Sequence, residues 1–197
     1  MEARKAVCTR KTGETDITIE IDLDGSGKTE INTGIGFFDH MLNSFARHGF
    51  FDLKVDVKGD LYVDTHHTIE DTGIVLGKAI KQALGDKAGI KRYASFIMPM
   101  DESLILSAVD LSGRPYLVYD LNLSTPKVGE FDTQMVKEFF YAVSYAAEMN
   151  IHLKQLSGGN DHHIIEAAFK SFANALEQAT RPNPRLGREL LSTKGSL

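Results

Sequence analysis

The sequence predicts an α+β fold made by internal duplication of one sheet-plus-two-helices unit, with the helices on one face of each sheet. Three observations carry that expectation. The pattern His-His-x-x-Glu occurs twice, in residues 64–71 and 160–167, and its first histidines, His66 and His162, stand 96 residues apart. Duplication is the simplest account of that spacing in a chain of 197 residues. Before each pattern, stretches alternating with strand period lead into stretches with helical period, and the order is the same both times. Gly-rich turns separate the stretches in both halves.

In the first half, residues 17–23 (Ile-Thr-Ile-Glu-Ile-Asp-Leu) alternate as a half-buried strand, and Asp24-Gly25-Ser26-Gly27 turns the chain into a partner over 28–33. Phe38, Met41, Leu42 and Phe45 then recur at helical spacing, predicting a helix over 37–47 that ends near Gly49. Leu53, Val55 and Val57 alternate as a third strand. After the turn at Gly59-Asp60, the first His-His-x-x-Glu opens a long helix through Ile74, Leu76, Ile80 and Leu84.

The second half reads as strands over 95–100, 103–111 and 116–121, with Ser112-Gly113-Arg114-Pro115 as a turn. A helix is expected over 131–149 and a strand over 151–156. The second His-His-x-x-Glu then opens a helix reaching Thr180, where Arg181-Pro182-Asn183-Pro184 stops it. The organisation expected is a first repeat over 1–93, a second over 94–184 and a polar C-terminal arm over 185–197. Helices on one face leave the other sheet face to be covered by the other repeat or by another subunit, so a symmetric homo-oligomer is expected.

Composition narrows the class. Hydrophobic content of 42% and charged content of 25% are ordinary for a globular chain. A net charge of −5 with scattered Lys and Arg gives no footprint for nucleic acid or an anionic membrane. The single cysteine, Cys8, excludes an internal disulfide framework, and neither a signal-peptide core in residues 1–18 nor a run of about 18 apolar residues occurs. A cytoplasmic enzyme or binding protein is expected.

On a helix, the first His and the Glu of each pattern stand at i and i+4, the second His and the Glu at i and i+3. Adjacent histidines point about 100° apart, so one ion does not readily accept both, and two pairs suggest two metals. Imidazole with carboxylate and no thiolate suits Mn, Fe, Zn, Co or Ni, with manganese favoured for six-coordinate geometry. Each repeat offers a third donor: His40 lies before His66 in the first, and Glu138 takes the equivalent place before His162 in the second. Under pseudo-twofold symmetry one site would use His66, Glu70, Glu138 and His163, and the other His162, Glu166, His40 and His67.

Phe38-Asp39-His40-Met41-Leu42, residues 63–73 around His66-His67, residues 159–170 around His162-His163, and the tail Ser192-Thr193-Lys194-Gly195 together resemble the imidazoleglycerol-phosphate dehydratase family over essentially the whole chain. The resemblance implies a histidine-biosynthesis lyase, monofunctional at this length, that removes water from imidazole glycerol phosphate to give imidazole acetol phosphate. It also implies a duplicated fold of the ribosomal protein S5 domain 2-like kind, two Mn(II) ions per active site and 24 subunits with sites at their contacts. One departure stands out: many members carry His where this chain has Glu138.

The reaction lacks a carbonyl to acidify the hydrogen that is lost, so the substrate's imidazole must act as electron sink. Metals on both ring nitrogens would favour imidazolate, which expels the neighbouring hydroxyl through a diazafulvene-like intermediate. The catalytic set carried over is Glu14, Glu166 and His40, with the base either Glu14 or Glu166. The positions matching the family's phosphate contacts are Arg92, Arg114, Lys170, Ser192 and Lys194. Two of them lie in the tail, which is therefore expected to close over the substrate and exclude water. A metal-storage shell would need neither tail nor arginines, and a helical-bundle di-metal hydrolase or oxidase would carry Glu-x-x-His, the opposite order.

Overall fold

The structure, a computed structural model, describes residues 4–197; the first three residues of the 1–93 repeat, and of the stretch read for a signal peptide, lie outside them. The first unit comprises β1 (Lys5–Lys11), β2 (Thr15–Asp22), β3 (Thr29–Asn32), α1 (Gly36–Gly49), β4 (Asp52–Gly59) and α2 (His66–Leu84). The second comprises β5 (Tyr93–Met100), β6 (Ser103–Asp110), β7 (Tyr116–Asp120), the short pair β8 (Lys127–Val128) and β9 (Phe131–Asp132), α3 (Met135–Ala147), β10 (Asn150–Ser157) and α4 (Asp161–Thr180). Sheet order is β1-β2-β4-β3 in one unit and β5-β6-β10-β7 in the other, each with two antiparallel pairings and a final parallel one. The duplicated α+β fold is as expected.

The structure departs from the sequence reading in several places. The strand over 17–23 and its expected partner over 28–33 do not form a hairpin: β4 lies between β2 and β3, antiparallel to the first and parallel to the second. Strand β1 was not expected, because its inward positions are Ala6, Cys8 and Arg10, and only Ala6 is an ordinary core residue. Arg10 turns inward to Asp71 at 2.8 Å, so the strand shows no apolar alternation. The helix expected from residue 131 begins only at Met135, because Phe131 and Asp132 pair with Val128 and Lys127. Phe131 is wholly buried, and its apolar character fits the helical period although it lies in a strand.

The units meet helix to helix, with α2 on α3 and α1 on α4, and the two sheets lie outermost. Both pairs run parallel: Gly73 and Gly77 of α2 face Ala142 and Ala146 of α3 in turn, while His40 and Phe45 of α1 face Glu166 and Phe172 of α4. A Cβ on Gly73 would stand 2.9 Å from the Phe139 carbonyl oxygen, and one on Gly77 2.8 Å from that of Val143. Only hydrogen fits at those two positions. Buried rings fill the centre, with Phe139 on Phe169 at 5.1 Å, Phe140 on Phe169 at 5.0 Å and Phe45 on Phe172 at 5.6 Å between centroids. Truncating any one of these to Ala would cost about 3–5 kcal/mol, since transfer and cavity terms add.

The outward faces of the sheets differ sharply. The first carries Lys5, Asp22, Lys11, Asp16, Lys54 and Glu30, paired across strands as ions. The second presents Tyr93, Ile97, Leu106, Tyr116 and Val118. The sequence reading left open whether the other repeat covers a sheet's free face; it does not, because the amphipathic helices of each unit find their second apolar partner in the helices of the other.

Candidate metal centre

The second His-His-x-x-Glu sits at a firmly anchored helix start. The Asn160 side chain accepts from the backbone N–H groups of His162 and His163, capping α4. Asp161 is buried and accepts from the N–H groups of Ser124 and Thr125, at 2.9 and 2.6 Å, and from the Thr125 hydroxyl. One turn on, Glu166 Oε2 lies 3.1 Å from His162 Nε2 and 3.2 Å from His40 Nε2, the latter reaching over from α1 of the other unit. These three donors lie within 4.8 Å of one another. The other carboxylate oxygen, Glu166 Oε1, takes the Lys170 ammonium at 2.6 Å. Burial pushes the Glu166 carboxyl up, but the hydrogen bonds from Lys170 and His40 and the Lys170 charge outweigh burial and leave it below its ordinary value. The group is therefore an anion held ready to ligate.

The first pattern is more open. Asp64 accepts from the His66 backbone N–H at 2.7 Å, and His66 Nε2 lies 3.2 Å from Glu70 Oε2, yet both side chains are 44% exposed, against 8% for Glu166. Glu138 is half-buried in the first turn of α3, on the helix that packs against α2. Among the described residues, no histidine lies within 4.0 Å of its carboxylate.

The second histidine of each pattern stands apart from these groups. In both octets the adjacent rings are 6.1 Å apart and steeply inclined, so they serve different neighbours. His67 places Nδ1 3.0 Å from Asp60 and Nε2 3.7 Å from Glu14. His163 places Nδ1 2.8 Å from Glu102 and Nε2 3.8 Å from Asp101. The Asp60 hydrogen bond raises the His67 pKa, and the Glu102 hydrogen bond raises that of His163. Glu102 itself is held far below the carboxylate range by His163 and the Asn160 N–H.

The remaining candidates gather at the far end of α4. The Arg92 backbone N–H donates to Ala179 O, its guanidinium meets Asp110 at 2.8 Å and donates to Leu191 O at 2.7 Å, next to Ser192. Ser192 Oγ bonds the Ser196 carbonyl and accepts from the Lys194 N–H, while Leu197 lies against Gly113, beside the exposed Arg114. Ala179 lies thirteen residues beyond Glu166 on α4, about 20 Å at 1.5 Å per residue. Within one chain, then, Lys170 lies beside the His/Glu cluster, while Arg92, Arg114, Ser192 and Lys194 lie at the opposite end.

The donor set suits a divalent metal. Adjacent ligands around a six-coordinate ion with bonds of about 2.1 Å are roughly 3 Å apart, the spacing of His40 and His162 from Glu166 and of His66 from Glu70. Sequence reasoning missed Asp60, Asp101 and Glu102. A signal existed for two of them: Glu14 was singled out in the β1–β2 turn, and Asp101-Glu102 form the equivalent β5–β6 turn of the duplicate.

Fold and site together define a duplicated α+β protein with His/carboxylate clusters of metal-binding type at the N-termini of two long helices. The family model described as imidazoleglycerol-phosphate dehydratase matches residues 33–176. Relatives of that name from Lachnoclostridium phytofermentans and Acetivibrio thermocellus are 63% and 60% identical over 194 residues, covering 98% of this chain and 98% and 99% of theirs. Crystal structures of the dehydratase from Staphylococcus aureus and Pyrococcus furiosus superpose with TM-scores of 0.82 and 0.83 at 40% and 41% identity, covering 90% and 96% of this chain and 100% and 99% of theirs. The chain belongs to the imidazoleglycerol-phosphate dehydratase family, a family of hydro-lyases.

Proposed function

We propose that this chain dehydrates imidazole glycerol phosphate to imidazole acetol phosphate in histidine biosynthesis, in the cytoplasm, through a diazafulvene-like intermediate. The observation that carries this reading is the cluster of His40, His162 and Glu166, drawn from both units, with Lys170 on the free carboxylate oxygen. Two Mn(II) ions, held by His66, Glu70, Glu138 and His163 and by His162, Glu166, His40 and His67, would supply the positive charge that makes the substrate's imidazole an electron sink. The protein's own groups do the rest. Glu14, 53% exposed beside His67, is free to take the substrate proton, whereas Glu166 is committed to two imidazoles and an ammonium. We therefore favour Glu14 as base. Arg92 and Arg114, with Ser192, Lys194 and Lys170, would hold the phosphate, and the tail would exclude water.

One substrate molecule is far shorter than the roughly 20 Å of α4 between the His/Glu cluster and Arg92. That supports a site completed by neighbouring copies, with His67 and His163 offered across the boundary to clusters they do not reach in their own chain. The apolar outer face of the second sheet supports a homo-oligomer, for which we propose 24 subunits. No described helix is long and apolar enough to cross a membrane.

The test is an anaerobic assay of the manganese-replete protein with imidazole glycerol phosphate, following the ketone product, beside a metal-stripped control. Metal-dependent product formation is expected; its absence overturns the reading.

A further inference from the structure

The four octet histidines are not held alike. His162 and His66 each face the glutamate one turn along their own helix, and His40 reaches the first of those glutamates. His67 and His163 do not meet an octet glutamate; their Nε2 atoms lie beyond hydrogen-bond distance of any described carboxylate, 3.7 Å from Glu14 and 3.8 Å from Asp101, and these two alone among the five carry a close carboxylate on Nδ1: Asp60 at 3.0 Å and Glu102 at 2.8 Å. A carboxylate anion can only accept, so each Nδ1 carries the proton, and in the neutral ring the lone pair is left on Nε2, the edge directed away from the brace. An imidazole ligand oriented this way keeps one tautomer and gains basicity.

The two braces come from different places. Asp60 follows β4 directly and is 11% exposed. Glu102 lies in the β5–β6 turn and also accepts from the Ser103 hydroxyl and the Asn160 N–H, both at 3.0 Å, tying that turn to the start of α4. Two unrelated positions therefore deliver the same chemistry to equivalent histidines, where duplication alone would have delivered it from equivalent positions. The shared feature is a histidine that no octet glutamate holds. A lone, half-exposed ring otherwise samples several rotamers and both tautomers, and its ordering would weaken whatever it later binds.

We infer that Asp60 and Glu102 are positioning residues that preset His67 and His163, in rotamer and tautomer, as the donors presented to a metal shared with a neighbouring copy. The inference rests on the two-manganese reading given above.

It is tested by titrating the metal-stripped full-length protein with Mn(II), following free ion by electron paramagnetic resonance, alongside thermal unfolding without metal. Asp60→Ala and Glu102→Ala should each weaken one of two manganese ions per chain about 10–100-fold. Asp60→Asn and Glu102→Gln, which keep an acceptor oxygen and the Glu102 contacts to Ser103 and Asn160, should recover most of that loss. The unfolding temperature of metal-stripped Asp60→Asn should match the parent, and in a His67→Ala background Asp60→Ala should cause no further loss. Native affinity in both alanine variants overturns the inference, as does an equal further loss in the His67→Ala background. Should an alanine variant not fold, Asp60→Ser and Glu102→Ser take its place with the same expected loss. A parent protein that binds no manganese overturns the two-metal reading itself, a result distinct from a parent that binds two and variants that do not differ.

Discussion

The two His-His-x-x-Glu octets are near copies in sequence and unequal in structure. At the second, a buried glutamate gathers two imidazoles and an ammonium, one imidazole coming from the other unit. At the first, an exposed His66–Glu70 pair stands without a third donor at close range among the described residues. The helix starts differ locally: Asn160 caps α4 by accepting from two backbone N–H groups, whereas Thr65 at the start of α2 makes no side-chain cap bond and only the preceding Asp64 accepts from the His66 N–H. A second difference lies on the facing helix: His40 in one case, Glu138 in the other. Imidazole approaches a carboxylate favourably, whereas Glu138 facing Glu70 would set two anions side by side without a cation between them. On the two-manganese reading proposed above, the first site would be the one that depends more on its ion.

The comparison breaks most severely at Glu166. Glu166→Gln should lower kcat by about 10²–10⁴-fold and remove one manganese per chain, because the anion that orders the preformed cluster is gone; near-native turnover would falsify its role. Removal of residues 187–197 should raise KM and cut turnover about 10²-fold while leaving manganese content intact, because the tail carries proposed phosphate contacts and none of the proposed metal donors. Steady-state kinetics with metal analysis on one preparation decides this, and unchanged kinetics would end the idea of a closing arm. The inequality itself is addressed by Glu138→His, which should tighten the weaker of two manganese constants about tenfold and bring it towards the stronger. If both constants stay put, Glu138 is not a donor.

The smallest effect is expected far from either octet. Lys87, between the units, is 6% exposed, and burial lowers its pKa despite the nearby Glu148 charge. A base whose folded pKa is depressed costs stability in full below that folded pKa, and the cost fades as pH rises towards its unfolded value of about 10.5. Lys87→Met should therefore stabilise by roughly 1 kcal/mol at pH 7 and progressively less as pH rises towards about 10.5. Melting curves across that range check the sign: a gain that grows with pH would refute it.

Much of this was legible in the sequence, for identifiable reasons. The alternation in residues 17–23 and the helical period around Phe38 and Phe45 reflect surfaces buried on one side, and burial on one side writes a period. Strand β1 wrote none, since its inward positions satisfy a salt bridge and a thiol hydrogen bond in place of a core. The site residues divide the same way. His40, His162 and Glu166 could be paired from the duplication because they follow helical spacing within the same symmetric frame. Asp60 could not be read, because a carboxylate in a turn looks the same in sequence whether it faces water or a histidine; Glu102 could be reached only through the equivalence of its β5–β6 turn to the turn that carries Glu14. Lys170 carries a similar lesson: four residues after Glu166 it reads as an ordinary surface pair, yet its side chain is only 18% exposed.

The contact between His40 and Glu166 reaches beyond chemistry to descent. A single unit contains one half of that contact and could complete it only against a second copy of itself. A dimer of identical units must carry the same facing donor twice, so any substitution there alters both places at once. Joining two copies in one chain removes that constraint. Position 40 can keep its histidine while position 138 holds a glutamate, and each centre becomes separately open to change.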